Sequence, residues 1–324
     1  MNLPPKVKDF LSFVLRFGLS AVLLVYLYHR IDWAKTIEIV KTADKIFIGY
    51  AFLSFLSIYV FLVLRWMIFL RAMDVEVPLF TCLRYYFIGL FGNLFLPSSI
   101  GGDVLKIWGL CRATPHKAKV VASVLLDRLS GFAGIVVVAV LAFAFGFNRI
   151  QDLSLLISIA VMAGFSFLTG VVLLNEKIYE ICCRIFNAFP KIKDSLMHMH
   201  YDIALLKDRP YAIYQSIAAS CLCQIILSIT FFLLSKALHQ ETSFIYFLIF
   251  IPLICVASSM PSIGGLGVRE AGAVYLFAKA GMAAGVSVSI SLINFLFMVI
   301  VGLLSGLFFV LTKSPGETLP NEAK

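Results

Sequence analysis

Six charged residues crowd two glycine-rich breaks in a chain that is otherwise poor in charge. Asp103 and Lys106 follow Gly101-Gly102, and Arg269 and Glu270 follow Gly264-Gly265-Leu266-Gly267. Asp127 and Arg128 adjoin at the head of a run, Leu129 to Phe147, that carries no charge at all. At membrane depth a charged side chain costs at least about 2.5–3.5 kcal/mol, so such groups pair with one another or line a polar path. Pro97 and Pro261 open the two breaks. Unwound backbone there leaves amides and carbonyls that hydrocarbon cannot satisfy, so it persists only where it is buried in protein or lines a polar cavity. Glycine permits the reversal. A helix restarting after each break directs free N–H groups and its positive dipole end at the break, a geometry suited to phosphate. The candidate binding set for an anionic headgroup is therefore Pro97, Gly101, Gly102, Asp103, Lys106, Asp127, Arg128, Pro261, Gly264, Gly265, Gly267, Arg269 and Glu270. The competing reading is interfacial snorkelling, or a static ion pair between Asp127 and a basic neighbour. Arg16, Arg65 and Arg84 fit that plainer description.

The elements that must carry these residues are membrane helices. Hydrophobic residues make up 61% of the 324, mean hydropathy is +0.97, and charged residues are 14%, against about 25% in soluble domains. That balance excludes a soluble enzyme, a disordered linker and a nucleic-acid module. The net charge of +9 then reads as basic loops flanking apolar spans and facing anionic lipid. The N-terminus imitates a signal peptide, with Lys6 and Lys8 ahead of an apolar stretch, but no small-x-small cleavage pattern follows, and it is read as a first helix.

With about 20 apolar residues per crossing, the candidate spans are 10–28, 46–70, 80–96, 123–147, 153–174, 211–236, 243–258 and 286–312. The expected fold is an all-α polytopic membrane bundle of about eight spans with two broken or re-entrant segments. Residues 80–96 and 243–258 are short, run into the breaks, and are followed by short segments at 103–113 and 268–281. Connections 29–45 and 175–210 read as interfacial helices. Both breaks contain Pro-Ser and Ile-Gly-Gly, and Gly101 and Gly264 stand 163 residues apart. The pattern predicts an internal repeat, with halves at about 46–150 and 211–312 inside one domain, 1–312, and a polar tail at 313–324. Interrupted helices at matching positions point to a site at the repeat interface. Four crossings between the breaks imply parallel copies; one re-entrant hairpin counted as a span would invert them.

Other motifs carry less. The seven cysteines form no C-x-x-C and read as buried thiols. No G-x-x-x-x-G-K-[ST] is present. Met197-His198-Met199-His200 reads as an interfacial run rather than a metal site, and Asp74-Val75-Glu76 as a solvated turn rather than a metal–diphosphate holder. No metal, cofactor or nucleophile is expected.

At the breaks the sequence resembles a known family. Pro97-Ser98-Ser99-Ile100-Gly101-Gly102-Asp103 with Lys106, then Ala122 to Arg128 and Gly131, resembles the first signature of the lysylphosphatidylglycerol synthase transmembrane region. Pro261 to Glu270 resembles the second. The resemblance implies a flippase-like bundle in the plasma membrane that moves lipids or lipid-linked intermediates between leaflets. The aminoacyl-transferase half of the bifunctional members is not expected here, since the sequence stops shortly after the last span. Membrane lipids are the expected partners, with a cell-envelope or glycolipid enzyme as a further one and no nucleic acid. The alternatives are an integral-membrane transferase using Asp74 and Glu76, and a scaffold that transports nothing.

Overall fold

Asp44 starts the first long helix by accepting a hydrogen bond from the Ile46 amide at 2.8 Å, satisfying one of the donors a helix start leaves open. The computed structural model describes residues 37, 38, 40–95, 101–146, 152–175, 209–259 and 265–312. Nine long helices lie among them: α1 (Lys45–Ala72), α2 (Leu79–Phe95), α3 (Gly101–Ala113), α4 (Lys117–Gly146), α5 (Leu153–Leu174), α6 (Pro210–Ala237), α7 (Phe244–Ser258), α8 (Val268–Ala278) and α9 (Ala284–Leu311). Four of these, α1, α4, α6 and α9, are long and apolar enough to cross a membrane. The expected span at 10–28, Pro97, Pro261, Gly264, the Met197–His200 run and nearly all of 175–210 lie outside the described residues.

The two short apolar segments are limbs of hairpins. α2 and α3 lie antiparallel and close: a Cβ on Gly102 would sit 2.2 Å from the Gly89 carbonyl oxygen, and one on Gly109 would sit 2.3 Å from the Tyr85 ring. α7 and α8 pair the same way, with Phe250 against Phe277 (5.5 Å between ring centroids) near the base and Gly265 against Ser258 near the tip. Helices of 17 and 15 residues reach about 25 and 22 Å, past the middle of a hydrocarbon layer about 30 Å thick but not across it. Each limb returns toward the side it came from. Among the described residues, those of 80–96 and 243–258 therefore belong to the two re-entrant segments expected from the sequence rather than to full crossings.

The second quartet, α6 to α9, matches the first, α1 to α4, in order and length: 28, 15, 11 and 28 residues against 28, 17, 13 and 30. The two run in opposite directions. α1 and α6 are antiparallel along their length: the Asp44 amide donates to the Ala237 carbonyl (2.9 Å) at one end, and Arg209 Nη1 donates to the Ala72 carbonyl (3.1 Å) at the other. Cys223 Sγ meets the Ile58 carbonyl between them. α4 also opposes α1, through Trp66–Ser123 and Arg65–Asp127. α9 runs parallel to α1, with Phe52 on Phe297 and Leu56 beside Val301. The packing is reciprocal: the first hairpin lies on α9 through Phe91–Gly306 and Leu94–Gly302, and the second lies on α4 through Ile249–Gly146. Because α4 and α6 are parallel, the chain must cross back between them, and α5, packed on α4 through Phe132–Phe165, supplies that return. Counting 243–258 as a crossing would make the hairpins enter from one side; as a hairpin limb, it sets them on opposite sides.

Two apolar clusters fill the bundle. One gathers Phe55, Phe143, Phe247 and Phe277, and the other Trp66, Leu70, Tyr86 and Leu110. A charged layer separates them.

Candidate functional site

That layer begins with Arg65, 6% exposed, which α1 carries between the two apolar clusters. Its Nε donates to Asp127 Oδ1 at 2.7 Å and its Nη1 to Ser220 Oγ at 3.1 Å, joining α1, α4 and α6. Gly131, one turn beyond Asp127, leaves room for the guanidinium, since a Cβ there would lie 2.9 Å from Nη1. Asp127 is therefore paired, with a partner 62 residues away rather than with the adjacent Arg128.

Arg128 points elsewhere. Its Nε donates to Asp103 Oδ2 at 2.5 Å, tying α4 to the third residue of α3. Lys106 stands 3.3 Å from the other Asp103 oxygen and 3.9 Å from the Tyr86 ring centroid. In the second hairpin Glu270, the third residue of α8, takes the corresponding place. Its Oε1 accepts from Arg269 Nη2 (2.6 Å) and Ser291 Oγ (2.8 Å), and Arg269 also lies over the Phe295 ring. Each hairpin thus sets a buried carboxylate near its tip against an arginine. One arginine comes from the neighbouring long helix and the other from the hairpin itself.

The amides expected to face an anion are partly spoken for. The Gly102 N–H donates to Asn93 Oδ1 (3.0 Å), and the Gly267 N–H to Glu270 Oε2 (2.7 Å). Gly265 and Gly267, with φ of 80° and 84°, make the turn, a conformation that costs any residue with a Cβ about 1–2 kcal/mol. The glycines thus shape the hairpin, and the cations are left to meet a ligand.

They meet it in one cavity. About 650 Å³ of space lies between α1, α4, α6, α7, α8 and α9, with Arg65, Arg128 and Arg269 in its wall, a size suited to a small-molecule moiety. The Arg128 side chain is 46% exposed, whereas Arg65 and Arg269 are buried. Gln224 and Asn294, both buried, line the same space. Asn294 Oδ1 has no hydrogen-bond partner among the described residues, and Gln224 Nε2 approaches only the weakly accepting Cys255 thiol. Leaving a buried polar group unsatisfied costs about 1–3 kcal/mol, so their retention at a cavity wall is the mark of a site kept for a polar ligand. The cluster holds Arg65, Lys106, Arg128 and Arg269 against Asp103, Asp127 and Glu270, four positive charges to three negative. Among the described residues of this cluster, cations outnumber carboxylates by one.

Sequence reasoning had grouped Asp103, Lys106, Asp127, Arg128, Arg269 and Glu270, and the fold does bring them into this layer. Gly101 and Gly102 start α3 behind Arg128, away from the cavity wall. Arg65, Ser220, Gln224 and Asn294 were missed as cavity residues. A signal existed: Ser216, Ser220, Gln224 and Ser228 recur every four residues along an apolar helix, and all are buried. Arg84, in contrast, lies over the Phe309 ring away from the cavity. Asp74 pairs with Arg209 at 2.8 Å at the end of α1, while Glu76 is exposed. Among the described residues no three His, Cys, Asp or Glu side chains gather as metal ligands would.

Opposed helix quartets, re-entrant hairpins and a cluster of buried charges define a polytopic membrane protein with a largely apolar cavity into whose wall three arginines are set. Comparison with known proteins narrows the class. Residues 13–306 match the family described as the lysylphosphatidylglycerol synthase TM region, and the chain belongs to that family. It is also similar to a UPF0104 membrane protein of Pyrococcus horikoshii, 28% identical over 193 residues, covering 57% of each chain. The chain thus spans little more than half the length of that relative. No solved structure matches it.

Proposed function

We propose that the protein moves a lipid with an anionic, phosphate-bearing headgroup between the leaflets of the plasma membrane. The observation that carries this reading is the cavity whose wall holds three arginines, donors from which a phosphate accepts, while Asn294 Oδ1, without a partner among the described residues, is placed to accept from a headgroup hydroxyl. A phosphate entering there would meet donors of guanidinium geometry, which bind phosphate through paired N–H bonds, in a cluster whose described residues carry more cations than carboxylates. Asp103 and Glu270 hold Arg128 and Arg269 in position. The matching, oppositely directed quartets support a duplicated origin of the two halves, one at about 46–150 and the other at about 211–312. Inverted halves around a midplane site are the usual architecture of alternating access, in which one half rocks against the other. The membrane character of the family and of its archaeal relative agrees with this reading without naming a substrate.

A transferase built on Asp74 and Glu76 draws less support, because Arg209 occupies the Asp74 carboxylate. The proposal is tested by purifying the full chain in mild detergent and identifying the lipid that accompanies it by mass spectrometry. An anionic phospholipid or glycolipid, lost on Arg128→Gln substitution, is the expected result. Zwitterionic lipid alone, retained by the variant, would defeat the reading.

A further inference from the structure

A second cavity, about 370 Å³, lies between α1 and α9 with α2 forming part of its wall, and its lining is of a different kind. Leu56, Val60, Leu83, Phe87, Leu304 and Phe308 line it with hydrocarbon. Val60 and Leu304 are 58% and 55% exposed, so the groove opens to the bilayer. Tyr59 belongs to the walls of this groove and of the arginine cavity alike, so a single side chain stands at the junction of the two.

The corresponding seam in the other half is shut. α6 lies against α4 so closely that a Cβ on Gly134 would sit 2.4 Å from Ser220 Cβ, and Cys221 Sγ reaches the Gly134 carbonyl. One of two matching helix seams is therefore sealed and the other holds a groove, and the groove adjoins the charged cavity.

We infer that the α1–α9 groove holds one acyl chain of the phospholipid whose headgroup occupies the arginine cavity, Tyr59 marking the junction between chain and headgroup. This inference rests on the headgroup reading above. The dimensions argue for a single chain. From Val301 to Phe308 the helix rises about 10 Å, room for the upper part of one hydrocarbon tail. Its roughly 370 Å³ is less than the volume that 10 Å of helix, about 10–12 Å across with its side chains, would fill. An apolar groove beside a cavity with three arginines in its wall offers a soluble anion only the second, whereas an amphiphile matches both parts at once. The second acyl chain would stay in the bilayer.

Leu304→Trp and Val60→Trp fill the groove from opposite walls and leave the arginines untouched. Binding of dioleoyl phosphatidylglycerol, glycerol 1-phosphate and undecaprenyl phosphate to the full chain in detergent is measured for each, with thermal melting as a check on folding. Dioleoyl phosphatidylglycerol binding at least tenfold weaker in a folded variant, with glycerol 1-phosphate binding unchanged, is the expected outcome. Unchanged dioleoyl phosphatidylglycerol binding in both variants, alongside weakened binding in Arg128→Gln, would overturn the groove assignment and leave the headgroup site standing. A response confined to undecaprenyl phosphate would overturn the acyl-chain assignment. Failure of the wild-type protein to bind any of the three would overturn both the groove and the headgroup reading.

Discussion

Arg128→Gln and Arg269→Gln remove the same charge from the same cavity, yet they should fail in different ways. Arg128 is nearly half exposed, and its partner Asp103 keeps Lys106 at 3.3 Å when Arg128 is gone. Folding should therefore change by less than about 1 kcal/mol, the range of partly solvated pairs. What disappears is a positive charge and a charge-assisted hydrogen bond to a phosphate, about 1.5–3 kcal/mol, or roughly 10- to 150-fold in binding. Arg269 is buried, and the oxygen it contacts on Glu270 would keep only Ser291. Stranding a buried carboxylate costs about 3–5 kcal/mol, so Arg269→Gln should lose thermal stability first. The assay is a paired measurement in detergent: melting temperature, and titration with dioleoyl phosphatidylglycerol. Refutation would be a large loss of melting temperature in Arg128→Gln with binding intact, or indistinguishable behaviour of the two variants.

Further outcomes follow from the same contacts. Asn294→Leu removes an unsatisfied buried oxygen, so it should raise the melting temperature or leave it unchanged while weakening phosphatidylglycerol binding severalfold; both are read in the same titration. Gly102→Ala drives a Cβ to 2.2 Å from the Gly89 carbonyl and 2.4 Å from Asn93 Oδ1, and should cost about 1–3 kcal/mol by prising the first hairpin apart, seen as a lower melting temperature. Gly164→Ala, where a Cβ meets nothing within 4 Å, is its control. At the base of the second hairpin Lys279 donates to Asp152, holding that carboxyl well below the usual carboxylate range and raising the Lys279 ammonium. The depressed carboxyl contributes above its free value of about pH 4, and the raised ammonium below about pH 10. Hydrogen-exchange protection at residues 276–282, taken relative to Asp152→Asn, should therefore be present at pH 6, decline progressively as the pH falls below 4 and through the depressed carboxyl range, and weaken in concentrated salt.

Much of the fold was legible because apolar length is a strong signal. The runs at 46–70 and 211–236 fall inside α1 and α6, and those at 123–147 and 286–312 fall inside α4 and α9 apart from the last residue of each. What apolar length cannot give is direction. A run of 15 to 17 residues is too short for an easy crossing and long enough for a hairpin limb, so the orientation of the two halves emerges only from contacts such as Asp44–Ala237. The charged cluster was legible because charge in an apolar run has few benign explanations, as at Asp103 and Arg269. Arg65 was not, because a lone arginine in a long helix equally suits snorkelling, and its partner Asp127 comes from a different helix. Gln224 was legible only as one of the polar residues recurring every four positions along α6, and Asn294 carries no charge, so its place in the shared wall is what gives it away. The amides of Gly102 and Gly267 show the converse error: the sequence exposes them to a ligand, whereas Asn93 and Glu270 satisfy them internally.

Leaflet exchange in reconstituted vesicles tests the central claim most directly. Fluorescent phosphatidylglycerol is placed in the inner leaflet, and its appearance outside is followed for vesicles with wild-type protein, with Arg128→Gln, and with no protein. Wild-type vesicles should exchange the lipid well above the protein-free rate, and Arg128→Gln vesicles should fall back toward it. Exchange equal in all three preparations, with the protein folded and inserted, would contradict the account.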